Sequence, residues 1–448
     1  MSTGTVALAA TEKGTVAKHT QHYLDVVDKY RSDPLRSYHQ HHLTINFAIE
    51  GPTDAAKLKA AVTKLATANP ALRSYFQGRQ NDWTQCFAKP EETGAFSHQK
   101  FTDPSIDWKK ISREAVDCLN DESFDVTRPP LFNVILLEFQ TISIILTKWH
   151  HIVCDGWGIL VALNHLLSFY EAEFNDQPAA IPQLLLDDYL SIARQQNSWL
   201  ESSDGKKKLN WWQSYLRDHP FMQSPLAERP QGFLGVCSDQ LSVQHSAALF
   251  QTAEAGGIHA SYIVLAAFLR GLQKLLALDD ILVTFVKANR DQSTGGIIAN
   301  FADWVMVRHR LEASNSLQTI AARTQKDVNE AKAQYLPYWH IVQELCPSQY
   351  FKDFGITPYS FDFVPPLQPK VDVGGKIKFS FLHELDAIPY RLVATDIFCR
   401  MSMHTYEGDS GPRINIDLIH HSGFVPKEQV QIVLDAMKGE LAKTLSTQ

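Results

Sequence analysis

LTKWHHIVCDGWGIL, residues 146–160, holds two adjacent histidines and, four residues after the second one, an Asp-Gly pair. The residues before the histidines form an apolar run that is typical of a β-strand. After Gly156, apolar residues recur at helical spacing at Leu160, Leu163, Leu167, Tyr170 and Phe174. We therefore predict that the histidines and the Asp-Gly pair lie on a turn that leads from a strand into a helix.

The flanking sequence extends this alternation of strands and helices. PLFNVILLEF, residues 130–139, and ISIILTKW, residues 142–149, predict an antiparallel hairpin. LTINFAIEG, residues 43–51, predicts a strand, and the helical spacing of the apolar residues after Asp54 predicts a capped helix that ends before Pro70. Similar alternation continues to the end of the chain, so the predicted fold class is α/β.

A chain of 448 residues exceeds what one hydrophobic core usually covers, so two domains are predicted. A composition break with two prolines, NDQPAAIPQ at residues 175–183, is the predicted linker. We place the first domain at residues 1–178 and the second at residues 179–448.

Composition excludes several classes of protein. A net charge of −7 argues against a nucleic-acid partner, which favours a basic surface. The six cysteines show no C-x-x-C spacing, and no carboxylate or cysteine completes a metal site with His39, His41 and His42. No signal peptide is recognisable, and the apolar runs are too short or too charged to span a membrane. We expect a cytoplasmic protein with no metal.

Four residues of the turn are the candidates for chemistry: His150, His151, Asp155 and Gly156. An imidazole has the pKa best suited to accept a proton at neutral pH. Gly156 lets a ligand approach the backbone near the positive end of a helix dipole. The residues alone leave two interpretations open: a catalytic site, or a histidine pair that ends a strand. Cys154 between the strand and the helix is interpreted as a core residue and not as a nucleophile.

HHIVCDG has the form H-H-x-x-x-D-G, and with its flanking segments the chain resembles condensation domains of nonribosomal peptide synthetases. These belong to the chloramphenicol-acetyltransferase-like acyltransferase superfamily. The similar segments, which extend the resemblance over nearly the whole chain, are NPALRSYF (residues 69–76, with Arg73), FDVTRPPLFNVILLEF (124–139), DDYLSIARQQNSWL (187–200), LNWWQSYL (209–216) and VTFVKANRDQSTGGIIANFADWVMVR (283–308). The departures are a barely visible first motif near HTQHYLDVV, Gly158 where serine is usual, Ala299 where glycine is usual, and Asn300 where an apolar residue is usual.

The resemblance implies two acyltransferase-like α/β subdomains in a V-shaped pseudodimer, with the active site at their junction. It implies acyl or peptidyl transfer from the phosphopantetheine thioester of a carrier protein to an amine or hydroxyl acceptor. His151 would act as general base, Gly156 would offer its N–H, and His150 would support the turn. Asp155 would form an ion pair, with Arg73 as the first candidate and Arg290 as the second. No bound cofactor is implied, because the substrate brings its pantetheine arm.

Two other functions remain open from the sequence. One is a coenzyme-A-dependent O- or N-acyltransferase, a class that shares H-x-x-x-D but carries a DFGWG segment, of which KDFGITPYS at residues 352–360 matches only the first three residues. The other is a non-catalytic module that docks carrier proteins. The methionine start favours a free-standing condensation enzyme over a domain of a larger synthetase.

Overall fold

The computed structural model describes residues 12–29, 42–79, 82–219, 232, 234–348, 357, 359–364, 372–373, 377–382, 399–408 and 411–445. These residues separate into two compact units. The first unit comprises residues 1–198, 288–302 and 368–393, and the second comprises residues 199–287, 303–367 and 394–448. Most of the segment KDFGITPYS lies outside the described residues. His39 and His41 also lie outside them.

The described residues of the first unit contain nine strands and most of five helices. The strands are β1 (Glu12–Thr15), β2 (His42–Glu50), β3 (Ser74–Arg79), β4 (Asp82–Phe87), β5 (Phe96–Lys100), β6 (Phe132–Glu138), β7 (Ser143–His150), β12 (Asp372–Val373) and β13 (Ile377–Phe381) among its described residues. The helices are α1 (Lys18–Lys29), α2 (Ala55–Ala68), α3 (Trp108–Asp121), α4 (Gly156–Phe174) and α5 (Leu186–Glu201).

A six-stranded sheet with the order β12-β13-β2-β7-β6-β5 organises the first unit. Strands β6 and β7 form the predicted antiparallel hairpin, with Glu138 opposite Ser143. Strand β7 lies between β2 and β6, and all its residues are buried. Alternate residues of a strand face opposite sides, so Ile144, Leu146, Lys148 and His150 share one face. Ile144 and Leu146 pack there with Val116 and Leu119 of α3.

The helix after β2 begins as the sequence predicts. The carboxylate of Asp54 accepts hydrogen bonds from the N–H groups of Ala56 and Lys57, which is the usual N-cap arrangement. Leu58, Val62 and Leu65, which recur at helical spacing, are all buried. The amphipathic pattern therefore fixes both the start and the buried face of α2.

The second unit contains six strands and six helices among its described residues. The strands are β8 (Leu234–Gln240), β9 (Asp280–Lys287), β10 (Asp303–Arg310), β11 (Tyr359–Val364), β14 (Cys399–Gly408) and β15 (Gly411–His421). The helices are α6 (Ser203–Leu216), α7 (Val243–Ala255), α8 (Ala260–Leu276), α9 (Leu317–Ala333), α10 (Tyr338–Leu345) and α11 (Lys427–Leu445). The strands form one sheet with the order β10-β9-β11-β14-β15-β8. Each unit thus combines a mixed six-stranded sheet with helices, and the predicted α/β class is confirmed.

The division into units differs from the single boundary predicted between residues 178 and 179. Strand β13 belongs to the first unit because it pairs antiparallel with β2, with Phe381 opposite Phe47. Residues 288–302 belong to it because they form hydrogen bonds with the turn before α4. Both segments lie far along the chain, so a local change in composition could not reveal them.

Within the described residues, no single helix is long and apolar enough to cross a membrane. One pair of helices, α7 and α8, passes the same test of length and composition together, with a bend of 106° between them.

Candidate active site

The turn between β7 and α4 carries the four candidate residues. His150 is the last residue of β7, and α4 begins at Gly156, so only five residues separate the strand from the helix. The structure confirms the predicted strand, turn and helix. His151 is the first residue after the strand, and its side chain is only half-buried.

His150 is buried and holds the turn. Its Nδ1 accepts a hydrogen bond from the N–H of Ile152 at 3.0 Å, and its ring packs against the edge of Phe124 at 5.9 Å. Burial, helped by the neighbouring positive charges of His151, His42 and Lys148, lowers the pKa of His150 to about 3. The ring is therefore neutral at pH 7, with its proton on Nε2, and it supports the turn instead of exchanging protons.

Asp155 is the N-cap of α4, and its side chain is 1% exposed. Its Oδ1 accepts hydrogen bonds from the N–H of Gly158 at 2.6 Å and from Nη2 of Arg290 at 2.8 Å. Its Oδ2 accepts from the N–H groups of Phe301 at 2.8 Å and Ala302 at 2.9 Å. Both oxygens are thus engaged in holding the helix start to residues 288–302.

Arg290 is the ion-pair partner of Asp155, and its side chain is 4% exposed. Its guanidinium also lies 4.7 Å from the centre of the Phe301 ring. The same group donates to three backbone carbonyls, those of Thr294, Ile297 and Ala299. A buried charge that is paired and hydrogen-bonded in this way fixes the geometry of the surrounding backbone.

The predicted ion pair between Asp155 and Arg73 is wrong. Arg73 ends a short 3₁₀ turn, Pro70–Arg73, and its Nη1 donates to the carbonyl of Ala88 at 2.8 Å. Arg290, the second candidate, occupies the place at the carboxylate. Sequence spacing could not separate the two arginines, because both are distant from Asp155 along the chain.

The two glycines of the turn play different roles. Gly156 is exposed, and a Cβ atom added there would meet nothing within 4 Å. Its backbone N–H belongs to the first residue of α4, at the positive end of the helix dipole. A Cβ atom at Gly158 would instead lie 2.9 Å from the carbonyl oxygen of Ala299 and 3.2 Å from Nη2 of Arg290. Glycine at position 158 thus makes room for the residues that bind Asp155.

Cys154 is buried, and its Sγ donates to the carbonyl of Asp155 at 3.6 Å. Burial, reinforced by the charge of Asp155, raises the pKa of its thiol well above the ordinary value. The thiolate is therefore scarce at neutral pH, which agrees with the interpretation of Cys154 as a core residue.

Sequence reasoning missed Lys148, whose side chain is almost wholly buried two residues before His150. Its Nζ donates to the carbonyls of Leu119 and Glu122, where α3 ends, and lies 4.9 Å from the centre of the Phe124 ring. Burial lowers its pKa to about 8. The sequence feature that could have revealed it is the position of this lysine on the same strand face as Ile144 and Leu146, where an apolar residue is expected.

Trp157 adds another contact between the helix start and residues 288–302. Its ring is half exposed, and its Nε1 donates to the carbonyl of Gly295 at 2.9 Å.

Among the described residues, no group of three or more histidine, cysteine, aspartate or glutamate side chains is arranged to hold a metal ion.

With the turn described, comparison with known proteins identifies the family. The family model "Condensation domain" matches residues 33–361, which is more than half of the chain. This chain belongs to the condensation-domain family. The resemblance inferred from the H-H-x-x-x-D-G segment is thereby confirmed.

Curated relatives are long synthetases. Chondramide synthase of Chondromyces crocatus is 26% identical over 311 residues, which cover 67% of this chain and 8% of that protein. The chain spans 4–8% of the length of that synthase and of three further curated relatives, which include a surfactin synthase subunit. The matched region is therefore a small part of each of these synthetases.

Solved structures share the fold at low identity. The first condensation domain of the calcium-dependent antibiotic synthetase matches with a TM-score of 0.74 and 16% identity, covering 97% of both chains. The X-domain from teicoplanin biosynthesis matches with a TM-score of 0.75 and 16% identity, covering 96% of this chain and 94% of that one. At such identities the likeness establishes the fold alone.

Proposed function

We propose that this protein is a condensation enzyme that transfers an acyl or peptidyl group from a carrier-protein phosphopantetheine thioester to an amine or hydroxyl acceptor. The observation that carries the proposal is the anchored turn. Asp155 uses both carboxylate oxygens to fix the start of α4, while His151 stays half-buried and Gly156 stays exposed. A rigid backbone with an accessible base beside it is suited to proton transfer.

In the proposed reaction His151 acts as general base. It accepts the proton of the acceptor amine or hydroxyl while that nitrogen or oxygen attacks the thioester carbonyl carbon. The tetrahedral intermediate carries a negative oxygen, which the N–H of Gly156 stabilises at the positive end of α4. Collapse re-forms the carbonyl of the new amide or ester, breaks the carbon–sulfur bond and returns the proton from His151 to the departing thiolate.

The remaining residues of the turn position these two groups. Neutral His150 holds the N–H of Ile152, and Asp155 with Arg290 holds the beginning of α4. No resident cofactor takes part in the steps as written, because the pantetheine arm arrives with the donor. The partner is an acyl or peptidyl carrier protein, and the acceptor is a small molecule or a second carrier-bound group.

The test uses a carrier protein loaded with a panel of acyl groups, a panel of amines and alcohols, and intact-mass detection of the products. We expect product with the wild-type protein and a fall of roughly 10²–10⁴-fold in rate for His151→Ala, which is the usual worth of a general base. His245→Ala, on α7 in the second unit, is the matched control. Unchanged turnover by His151→Ala contradicts the assignment of His151 as the base, and binding of the carrier protein without any turnover by the wild-type protein favours a docking module.

A second comparison separates the carrier-dependent enzyme from a coenzyme-A acyltransferase. The same acyl group is supplied on a carrier protein and on coenzyme A, at equal concentration and at two ionic strengths. Docking of a carrier surface adds contacts that a free thioester lacks, and its electrostatic part is screened by salt. We expect a preference for the carrier that weakens with salt. Equal, salt-insensitive rates from both donors assign the protein to the coenzyme-A acyltransferases.

A further inference from the structure

Three lysines from separate elements of the second unit meet near the end of α9. Lys208 lies on α6, Lys287 is the last residue of β9, and Lys332 lies in the last turn of α9. All three side chains are partly buried, although the protein as a whole carries a net charge of −7. We call this group the lysine cluster.

Each of these ammonium groups lies next to an aromatic ring, and Nζ of Lys208 is 5.5 Å from the centre of the Trp199 ring. Nζ of Lys332 lies 4.5 Å from the centre of the Phe285 ring, two residues before Lys287 in β9. Nζ of Lys287 lies 4.7 Å from the centre of the Tyr335 ring, three residues after Lys332. The lysine of each element thus packs on an aromatic ring of the other, an arrangement that restrains both side chains without neutralising their charge.

Lys208 completes the cluster at the end of α9. Its Nζ donates to the carbonyl of Ala333 at 2.7 Å, beside Lys332, and keeps further N–H groups for another acceptor. Within the described part of the chain, neither Lys208 nor Lys332 forms an ion pair with a carboxylate. A helix end alone explains one capping cation, but not two further lysines beside it.

The pKa values of two of the lysines are shifted by this environment. Burial lowers the pKa of Lys332. Burial also lowers the pKa of Lys287, and the charge of Lys332 adds to the effect, as does that of Lys208. Asp303, which lies opposite Lys287 in β10, acts in the other direction, but its Oδ2 also accepts hydrogen bonds from the Tyr335 hydroxyl and the Tyr338 N–H. The carboxylate of Asp303 is therefore shared between Lys287 and these two donors.

We propose that Lys208, Lys287 and Lys332 form a binding site for a phosphate group. Ammonium groups bind phosphate as point charges, and a compact, half-buried set of three suits a small dianion better than an extended acidic surface. The site lies entirely on residues of the second unit and involves none of the residues of the β7–α4 turn. If the proposed function holds, the phosphate is that of the phosphopantetheine arm. Free phosphate and coenzyme A also present a phosphate group that the site could bind.

The test is binding of 4′-phosphopantetheine to the full chain, measured by calorimetry, with pantetheine as the matched ligand that lacks the phosphate. We expect saturable binding of the first that weakens as salt rises, and at least tenfold weaker binding of the second. Inorganic phosphate and coenzyme A, titrated in parallel, show whether the phosphate alone is sufficient and whether the nucleotide adds affinity. Equal binding of pantetheine and 4′-phosphopantetheine, or no binding of any phosphate ligand, overturns the proposal.

Variants assign the binding to the cluster. Lys287→Gln and Lys332→Gln should each weaken 4′-phosphopantetheine binding by about tenfold, since a hydrogen bond to a charged group is lost. Lys326→Gln removes the same charge from an exposed position of α9 and should change binding less than twofold. Lys332→Arg retains the charge and should retain binding, which separates lost charge from misfolding. Equal losses in Lys326→Gln and Lys332→Gln refute the site.

These measurements do not depend on turnover. His151→Ala should bind 4′-phosphopantetheine as the wild type does, because the cluster is independent of that residue. If the phosphate site is found and no condensation is detected, the proposed function fails alone. If condensation is detected and the lysine variants bind like the wild type, the phosphate site fails alone.

Discussion

Oδ1 of Asp155 lies 2.8 Å from Nη2 of Arg290, which follows it by 135 positions in the chain. Both side chains are buried, and the carboxylate also holds the N–H groups of Gly158, Phe301 and Ala302. The pair therefore joins the start of α4 to residues 288–302. The aspartate of the H-H-x-x-x-D-G segment therefore holds the backbone near the proposed base in place.

Loss of this pair should destabilise the fold. Asp155→Ala leaves the guanidinium of Arg290 buried without its partner, which costs about 3–5 kcal/mol of the free energy of unfolding. Urea denaturation followed by circular dichroism measures it. Glu114→Ala, which removes an exposed carboxylate 4.0 Å from Lys110, should have little effect.

A double-mutant cycle tests whether the effect belongs to the pair. Asp155→Ala and Arg290→Ala together should destabilise the protein by less than the sum of the two single changes, because the second change removes the unpaired charge left by the first. A fully stable but inactive Asp155→Ala protein would instead assign the carboxylate to the chemistry.

The two glycines of the turn offer a matched comparison. Gly158→Ala places a methyl group 2.9 Å from the Ala299 carbonyl and should lower the free energy of unfolding by about 1–3 kcal/mol. Gly156→Ala meets open space and should leave stability nearly unchanged. Thermal unfolding of both variants checks this. Equal melting temperatures for the two variants would contradict the assigned packing of position 158.

The local parts of the site could be predicted from the sequence. The change from a strand pattern to a helical pattern placed the β7–α4 turn, and the Asp54 cap and the buried residues of α2 followed from short-range rules. These features depend on neighbours within about one helical turn.

The contacts between residues far apart in the chain could not be predicted from the sequence. Arg73 and Arg290 are chemically equal partners for Asp155, and the choice depends on the path of residues 288–302. The pairing of β13 with β2 joins segments more than 300 positions apart. Lys148 was overlooked because a lysine in a strand usually faces water, whereas here the end of α3 supplies carbonyl acceptors for it.

Cysteine reactivity tests the packing behind the turn. Cys118 is exposed and should react quickly with iodoacetamide in the native protein, whereas Cys154 is buried with a raised pKa and should stay unmodified. Peptide mass mapping after brief alkylation distinguishes the two sites. Comparable labelling of Cys154 and Cys118 would show that the thiol is accessible and would reopen its assignment.

The last prediction concerns Lys148 and the dependence of stability on pH. Burial lowers the pKa of this lysine to about 8 in the folded protein, while an exposed lysine titrates at about 10.4. Between these values the unfolded chain binds more protons than the folded one, so the contribution of Lys148 makes stability rise with pH. Below about pH 8 the folded protein carries the full cost of the buried charge.

Lys148→Met removes the titrating group and keeps most of its length. Urea denaturation at pH values from 8 to 9.5 should give a slope for the wild type that exceeds that of Lys148→Met by up to about 1.4 kcal/mol per pH unit. Lys59→Met, at an exposed position of α2, should keep the wild-type slope. The variant is also expected to be less stable overall, since the carbonyls of Leu119 and Glu122 lose their donor. Identical slopes for the wild type and Lys148→Met would mean that Lys148 titrates like an exposed lysine, and the buried arrangement at the end of α3 would be wrong.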